Sequence, residues 1–113
     1  MSKKFKGGIP MLDAQGRIII PSEQLEKVDG TMKERELSIY FDSKRKRLKL
    51  RLHPFDYGEE NSIYYIATYT MDKKGRISIP KVIRKAFPDS TYLPAERDGE
   101  IYILIIEHEK KSE

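Results

Sequence analysis

Cysteine is absent from the 113 residues, which excludes disulfides, thiolate metal sites and cysteine nucleophiles. Only two histidines occur, His53 and His108, too few for most zinc chemistry. His53 sits beside Pro54 at a strand end and His108 in a charged tail, and both read as solvated rather than catalytic. No apolar run approaches the ~20 residues of a membrane-spanning helix. Met1-Ser2-Lys3-Lys4 leads into no apolar segment, so no secretory signal is expected. No Ser/His/Asp constellation, glycine-rich phosphate loop or metal cluster stands out. An enzyme is therefore not expected, and no cofactor or metal is implied.

Hydrophobic residues make up 38% and charged residues 35%, with both signs mixed and apolar runs persisting to the end. That balance reads as a folded chain rather than a disordered one. The length suits one domain or two very small ones, with enough chain for one core. The net charge is +4, which suits a polyanionic partner without establishing one. The charge is unevenly placed. Residues 1–57 carry 13 Lys/Arg against 8 Asp/Glu, whereas residues 58–113 carry 9 against 10. Much of the excess is one run, Lys44, Arg45, Lys46, Arg47, Lys49 and Arg51. Leu48, Leu50 and Leu52 alternate with it, so the run reads as a solvated turn and an amphipathic strand. A phosphate-facing role is the other reading.

The strongest signal is an internal repeat. Asp13-Ala14-Gln15-Gly16-Arg17-Ile18-Ile19-Ile20-Pro21 reappears as Asp72-Lys73-Lys74-Gly75-Arg76-Ile77-Ser78-Ile79-Pro80, six of nine positions matching at an offset of 59. A short helix is expected after each copy, over 22–28 and 81–87. Strand, turn and strand are then expected over 37–41 and 47–52, and again over 91–97 and 100–107, with Asp98-Gly99 as a hairpin signal. Upstream strands are expected over 5–12 and 63–71, the latter rich in β-formers. The pattern divides the chain into repeat one (5–52), a Pro-, Gly- and acid-rich connector (53–62) and repeat two (63–107). One repeat alone would leave strand edges and half a core exposed. Two of them can close into a single pseudo-two-fold barrel spanning 1–113.

Within the motif, Asp in a tight loop accepts backbone N–H groups, and Gly supplies a positive φ. Asp13, Gly16, Asp72 and Gly75 are thus loop-structuring residues. Ile18/Ile20 and Ile77/Ile79 alternate with Ile19 and Ser78, as a half-buried strand requires. Pro21 and Pro80 end the strand and preset φ for helix entry. No turn requires the arginine. Arg17 and Arg76 either brace the preceding Asp or present a donor to phosphates and base edges, and one residue can do both.

These residues resemble the AbrB-like family of swapped-hairpin DNA-binding proteins (SpoVT/AbrB/MazE), whose core reads roughly Asp-x-x-Gly-Arg-Ile-x-Ile-Pro before a short helix with Arg. The second copy is similar throughout, from Asp72 to Arg84. The first is similar through Pro21 and has Leu25 where Arg84 stands. The two-unit chain, opening with Phe5-Lys6-Gly7, resembles the MraZ family of regulators, although its connector is shorter. The resemblance implies a mostly β, swapped-hairpin barrel of two tandem β-loop-β-α-β-β repeats. It also implies a sequence-specific transcriptional regulator that binds double-stranded DNA, is cytoplasmic and nucleoid-associated, and forms a homo-oligomer (dimer or higher). Arg17, Lys73, Lys74, Arg76, Lys81, Arg84 and Lys85 are the expected DNA contacts. Loop and helix together sum to −1 in the first copy and +5 in the second, so the second unit is expected to dominate. An antitoxin and a barrel that only oligomerises are the alternatives. The few residues after the last strand weigh against an inhibitory arm, and the two arginines against the bare barrel.

Overall fold

A short strand follows each Asp-Gly loop because only four residues separate the turn glycine from the proline that ends pairing. In the computed structural model, which describes residues 11–58 and 60–108, these strands are β1 (Arg17–Ile19) and β5 (Arg76–Ser78). They pair antiparallel with Arg17 opposite Ser78, Ile18 opposite Ile77 and Ile19 opposite Arg76. Two further bonds extend the ladder past each end: Ile20 N–H donates to the Gly75 carbonyl at 2.8 Å, and Ile79 N–H to that of Gly16 at 2.9 Å. Pro21 and Pro80 share nearly the same backbone angles, φ −58°, ψ 141° and φ −56°, ψ 141°. Helix α1 (Ser22–Leu25) and helix α2 (Lys81–Ala86) follow them. Both are shorter than expected. Neither has a side-chain N-cap, and α1 is a single turn of four residues, below the length at which a helix sustains itself without packing.

The other five strands are β2 (Glu36–Asp42), β3 (Arg47–Leu52), β4 (Ile63–Thr70), β6 (Ser90–Arg97) and β7 (Glu100–Glu107). They form one antiparallel sheet in the order β4-β2-β3-β7-β6. The protein is thus mostly β, with seven strands in two antiparallel sheets and two short helices among the described residues. The strand expected over 5–12 lies outside the described residues except for Met11 and Leu12, which are not in a strand. Only β2–β3 and β6–β7 pair within one half of the chain. The pairs β1–β5, β2–β4 and β3–β7 each join the first half to the second.

The period-2 alternation of each strand sends one set of side chains into a shared core. Ile18, Ile20, Ile77 and Ile79 from the two-stranded ribbon meet Leu37, Ile39, Leu48, Leu50, Ile101 and Ile103 from the sheet, all essentially buried. Met32, Met71 and Ile83 fill the space between. Fully burying one such side chain contributes about 1.5–3 kcal/mol.

The opposite face of the sheet is covered by the connector. Tyr57 meets Tyr40 edge-on with centroids 4.7 Å apart, and the Tyr40 hydroxyl donates to the Phe55 carbonyl. His53 Nδ1 lies 2.9 Å from the buried Ser38 hydroxyl. The β2–β4 pairing has a β-bulge between Ile39 and Tyr40, and Tyr64 and Tyr65 of edge strand β4 are both exposed. Among the described residues no helix is long and apolar enough to cross a membrane.

Candidate nucleic-acid interface

The loops before β1 and β5 carry the same hydrogen bonds. Asp13 Oδ1 accepts the backbone N–H of Gln15 (2.9 Å) and Arg17 (3.0 Å), and Oδ2 accepts Arg17 Nε at 2.9 Å. Asp72 Oδ1 accepts the N–H of Lys74 (2.9 Å) and Arg76 (2.8 Å), and Oδ2 accepts Arg76 Nε at 2.6 Å. In each loop the Gly N–H returns to the Asp carbonyl, and the Asp N–H donates to the Arg carbonyl. The four-residue spacing of Asp and Arg is therefore a closed loop built around one carboxylate. The Arg76 N–H, with further help from its guanidinium and from the Lys74 N–H, holds Asp72 down at about 2. The Arg17 N–H lowers Asp13 in the same sense.

Both arginines thus brace their aspartates, each through its backbone N–H and its guanidinium Nε. Arg17 Nη1 reaches across the ribbon to within 3.6 Å of Asp72 Oδ2, so Asp72 serves both arginines. Across a strand pair, directly opposed residues share a face. With the four isoleucines of positions 18, 20, 77 and 79 turned inward, Arg17, Ile19, Arg76 and Ser78 form the outward face of the ribbon. The arginines occupy one diagonal, and Ile19 and Ser78 the other. Ile19 is 52% exposed.

Lys73 and Lys74 are exposed in the second loop, and Lys81 and Lys85 on α2. Arg84 is placed differently. It is half-buried, its Nε donates to the Ile79 carbonyl at 3.1 Å, and its guanidinium lies over Gly16 of the other half's loop. A Cβ built on Gly16 would stand 2.8 Å from Arg84 Cζ. The corresponding neighbour of Gly75 is Leu25, at 3.4 Å. Antiparallel pairing of β1 with β5 is the cause, because it sets the end of each strand beside the other half's loop.

This arrangement corrects the grouping of charge by sequence. Loop one lies beside α2, whose segment carries +3, and loop two, which carries +2, lies beside α1, whose segment carries −1. Interlocking spreads the positive charge over both ends of the ribbon. Loop one with segment 81–87 then totals +3, and loop two with segment 22–28 totals +1. Together these segments hold +4, the net charge of the whole chain.

The basic run 44–51 is partly paired at home, its six cations facing the three carboxylates of Asp42, Glu100 and Glu107. Asp42 is fully buried and receives the N–H of Lys44 and Arg45 and the Arg45 guanidinium at 3.2 Å, and the charge of Arg47 lies nearby, with Nε 3.6 Å away. Burial pushes the Asp42 carboxyl up, but these donors outweigh it and hold it low. Arg51 pairs with Glu100 at 2.6 Å, and Lys46 with Glu107. Arg47 lies over the Tyr102 ring at 4.1 Å, and Lys49 over Tyr57 at 4.6 Å. Lys44 is the one cation of the run with no ion pair or aromatic partner among the described residues.

Sequence reasoning passed over Ile19 and Ser78 as functional residues. The signal was present as the alternate position of each strand, but its meaning depended on which strand paired with which. No family model, no curated protein and no solved structure matches the chain.

Proposed function

We propose that this chain is a sequence-specific DNA-binding transcriptional regulator of the AbrB-like kind, a tandem two-unit relative of MraZ proteins. Its contact surface is the outward face of the β1–β5 ribbon with the loops and helices that flank it. In this reading the two halves are tandem repeats whose hairpins interlock into one barrel, which the three cross-half strand pairs support. The observation that carries the reading is the ribbon face: two arginines held at Nε by adjacent aspartates, on the side opposite the buried isoleucines, with Arg17 Nη1 also 3.6 Å from Asp72.

A two-stranded ribbon fits the major groove, which is about 12 Å wide. Fixing Nε removes rotamer freedom before binding, so less is lost when the outer nitrogens meet phosphate or a guanine edge. Lys73, Lys74, Lys81 and Lys85 stand on either side as sequence-independent phosphate contacts. Arg84 adds charge beside loop one while bracing that loop against Ile79.

Fluorescence anisotropy with the full-length chain and a labelled random-sequence duplex tests the proposal. Four lysine and two arginine contacts to phosphate give a slope of log affinity against log salt of about −5. Absence of binding at low salt, or binding with no salt dependence, overturns it.

A further inference from the structure

At the offset of 59 the halves agree at the buried and loop-forming positions and differ on the surface. Ile18 and Ile77 match, as do Ile20 and Ile79, and all four are 1% exposed. On the outward face, however, Ile19 stands where the other half has Ser78. Ile19 lies outside the core cluster and outside the partly buried hydrophobics packed on it. Burial therefore does not account for an aliphatic side chain there. It sits opposite Arg76 on the ribbon, as Ser78 sits opposite Arg17. One diagonal is thus symmetric and cationic, and the other is asymmetric, with one apolar and one hydroxyl group.

The chemistry of those groups differs in what it selects. The C5-methyl of thymine is the apolar group on the major-groove edge of the base pairs, and an exposed aliphatic side chain matches it. A serine hydroxyl matches donors and acceptors of several base edges. We infer that Ile19 and Ser78 are the specificity-determining pair of this surface, Ile19 reading a thymine methyl and Ser78 a polar base edge. A single chain then recognises an asymmetric duplex site despite its repeated motif. The inference rests on the DNA-binding reading above and adds to it which residues choose the sequence.

The test is selection of bound duplexes from a random-core pool by the full-length chain, with Ile19→Ser and Ser78→Ile run in parallel. Thermal melting confirms that each variant is folded, which an exposed Ile19 and a half-buried Ser78 outside the core cluster permit. The wild type is expected to enrich one A·T pair in a fixed orientation. Ile19→Ser lowers that preference roughly fivefold or more at that position alone, and Ser78→Ile changes a different position. Equal enrichment profiles for the wild type and both variants overturn the inference while leaving DNA binding intact. So does salt-dependent binding by the wild type with no enriched sequence. Failure of the wild type to retain any duplex overturns the DNA-binding reading, and this inference with it.

Discussion

Gly16 and Arg84 come from opposite halves of the chain, and a double-mutant cycle measures the contact between them. Gly16 has φ +77°. Placing Ala there costs about 1–2 kcal/mol for the left-handed backbone alone. The new methyl would also lie 2.8 Å from Arg84 Cζ, so the guanidinium must leave. Its departure sacrifices the 3.1 Å bond from Nε to the Ile79 carbonyl, about 1 kcal/mol. Gly16→Ala should therefore destabilise by about 2–3 kcal/mol in the wild type. In an Arg84→Ala background only the backbone term remains, about 1–2 kcal/mol. The coupling is about 1 kcal/mol, near 4 °C in Tm for a chain of this size. Gly75→Ala, whose side-chain neighbours are Leu25 and Lys33, should show no coupling to Arg84→Ala. Urea and thermal unfolding of the six proteins supply the numbers. Additive behaviour of Gly16→Ala with Arg84→Ala, or coupling to Gly75→Ala instead, would refute the exchange of loop and helix between halves.

Replacing Arg17 or Arg76 by Ala should each reduce the salt slope of duplex binding by about one unit. An unchanged slope with a lowered Tm would mean that the arginines only brace their loops. Lys73→Gln with Lys74→Gln should weaken duplex affinity strongly, while Lys44→Gln with Arg45→Gln leaves it nearly unchanged and lowers Tm, because Asp42 loses a partner; the reverse order of affinities would return the interface to the basic run. Asp72 is depressed to about 2 from an ordinary 3.8, so its stabilisation is complete above pH 3.8 and disappears as pH falls toward 2. Melting temperature followed from pH 5 to 2 should fall more steeply for the wild type than for Asp72→Asn, and parallel curves would contradict the depressed value. A fragment of residues 1–57 should lack dispersed amide shifts and cooperative melting, since each of its strands except the β2–β3 pair has lost its partner.

Local chemistry was legible from the residues themselves. The alternation of Leu48, Leu50 and Leu52, and the Asp98-Gly99 turn, located β3 (Arg47–Leu52) and β7 (Glu100–Glu107) without error. The Asp-Gly-Arg loops were read correctly for the same reason: their hydrogen bonds span no more than four residues. Helix lengths were overread: past Leu25 the first segment passes into turns, with the Lys27 N–H on the Gln24 carbonyl and the Val28 N–H on that of Leu25. What was hidden is non-local. Nothing in a linear reading sets Arg84 on Gly16 rather than beside its own loop. Nor does it set the connector aromatics Phe55 and Tyr57 on the basic strand β3, where Arg51 lies 4.4 Å from the Phe55 ring. The buried carboxylate of Asp42 was likewise invisible until its hairpin was closed.

The pairing of β1 with β5 also sets a clock on biosynthesis. The two strands are 59 residues apart, and at ~5–20 residues per second a ribosome needs roughly 3–12 s to add that length. For that interval β1 has no partner on its own chain, and the β2–β3 hairpin has open edges until β4 and then β7 are made. Neighbouring ribosomes on one message hold identical first halves in the same state. A second half emerging from one chain can then pair with the first half of another as readily as with its own. The yield of single-chain molecules should therefore depend on how densely the message is translated, a property governed by expression level and growth temperature rather than by the finished fold.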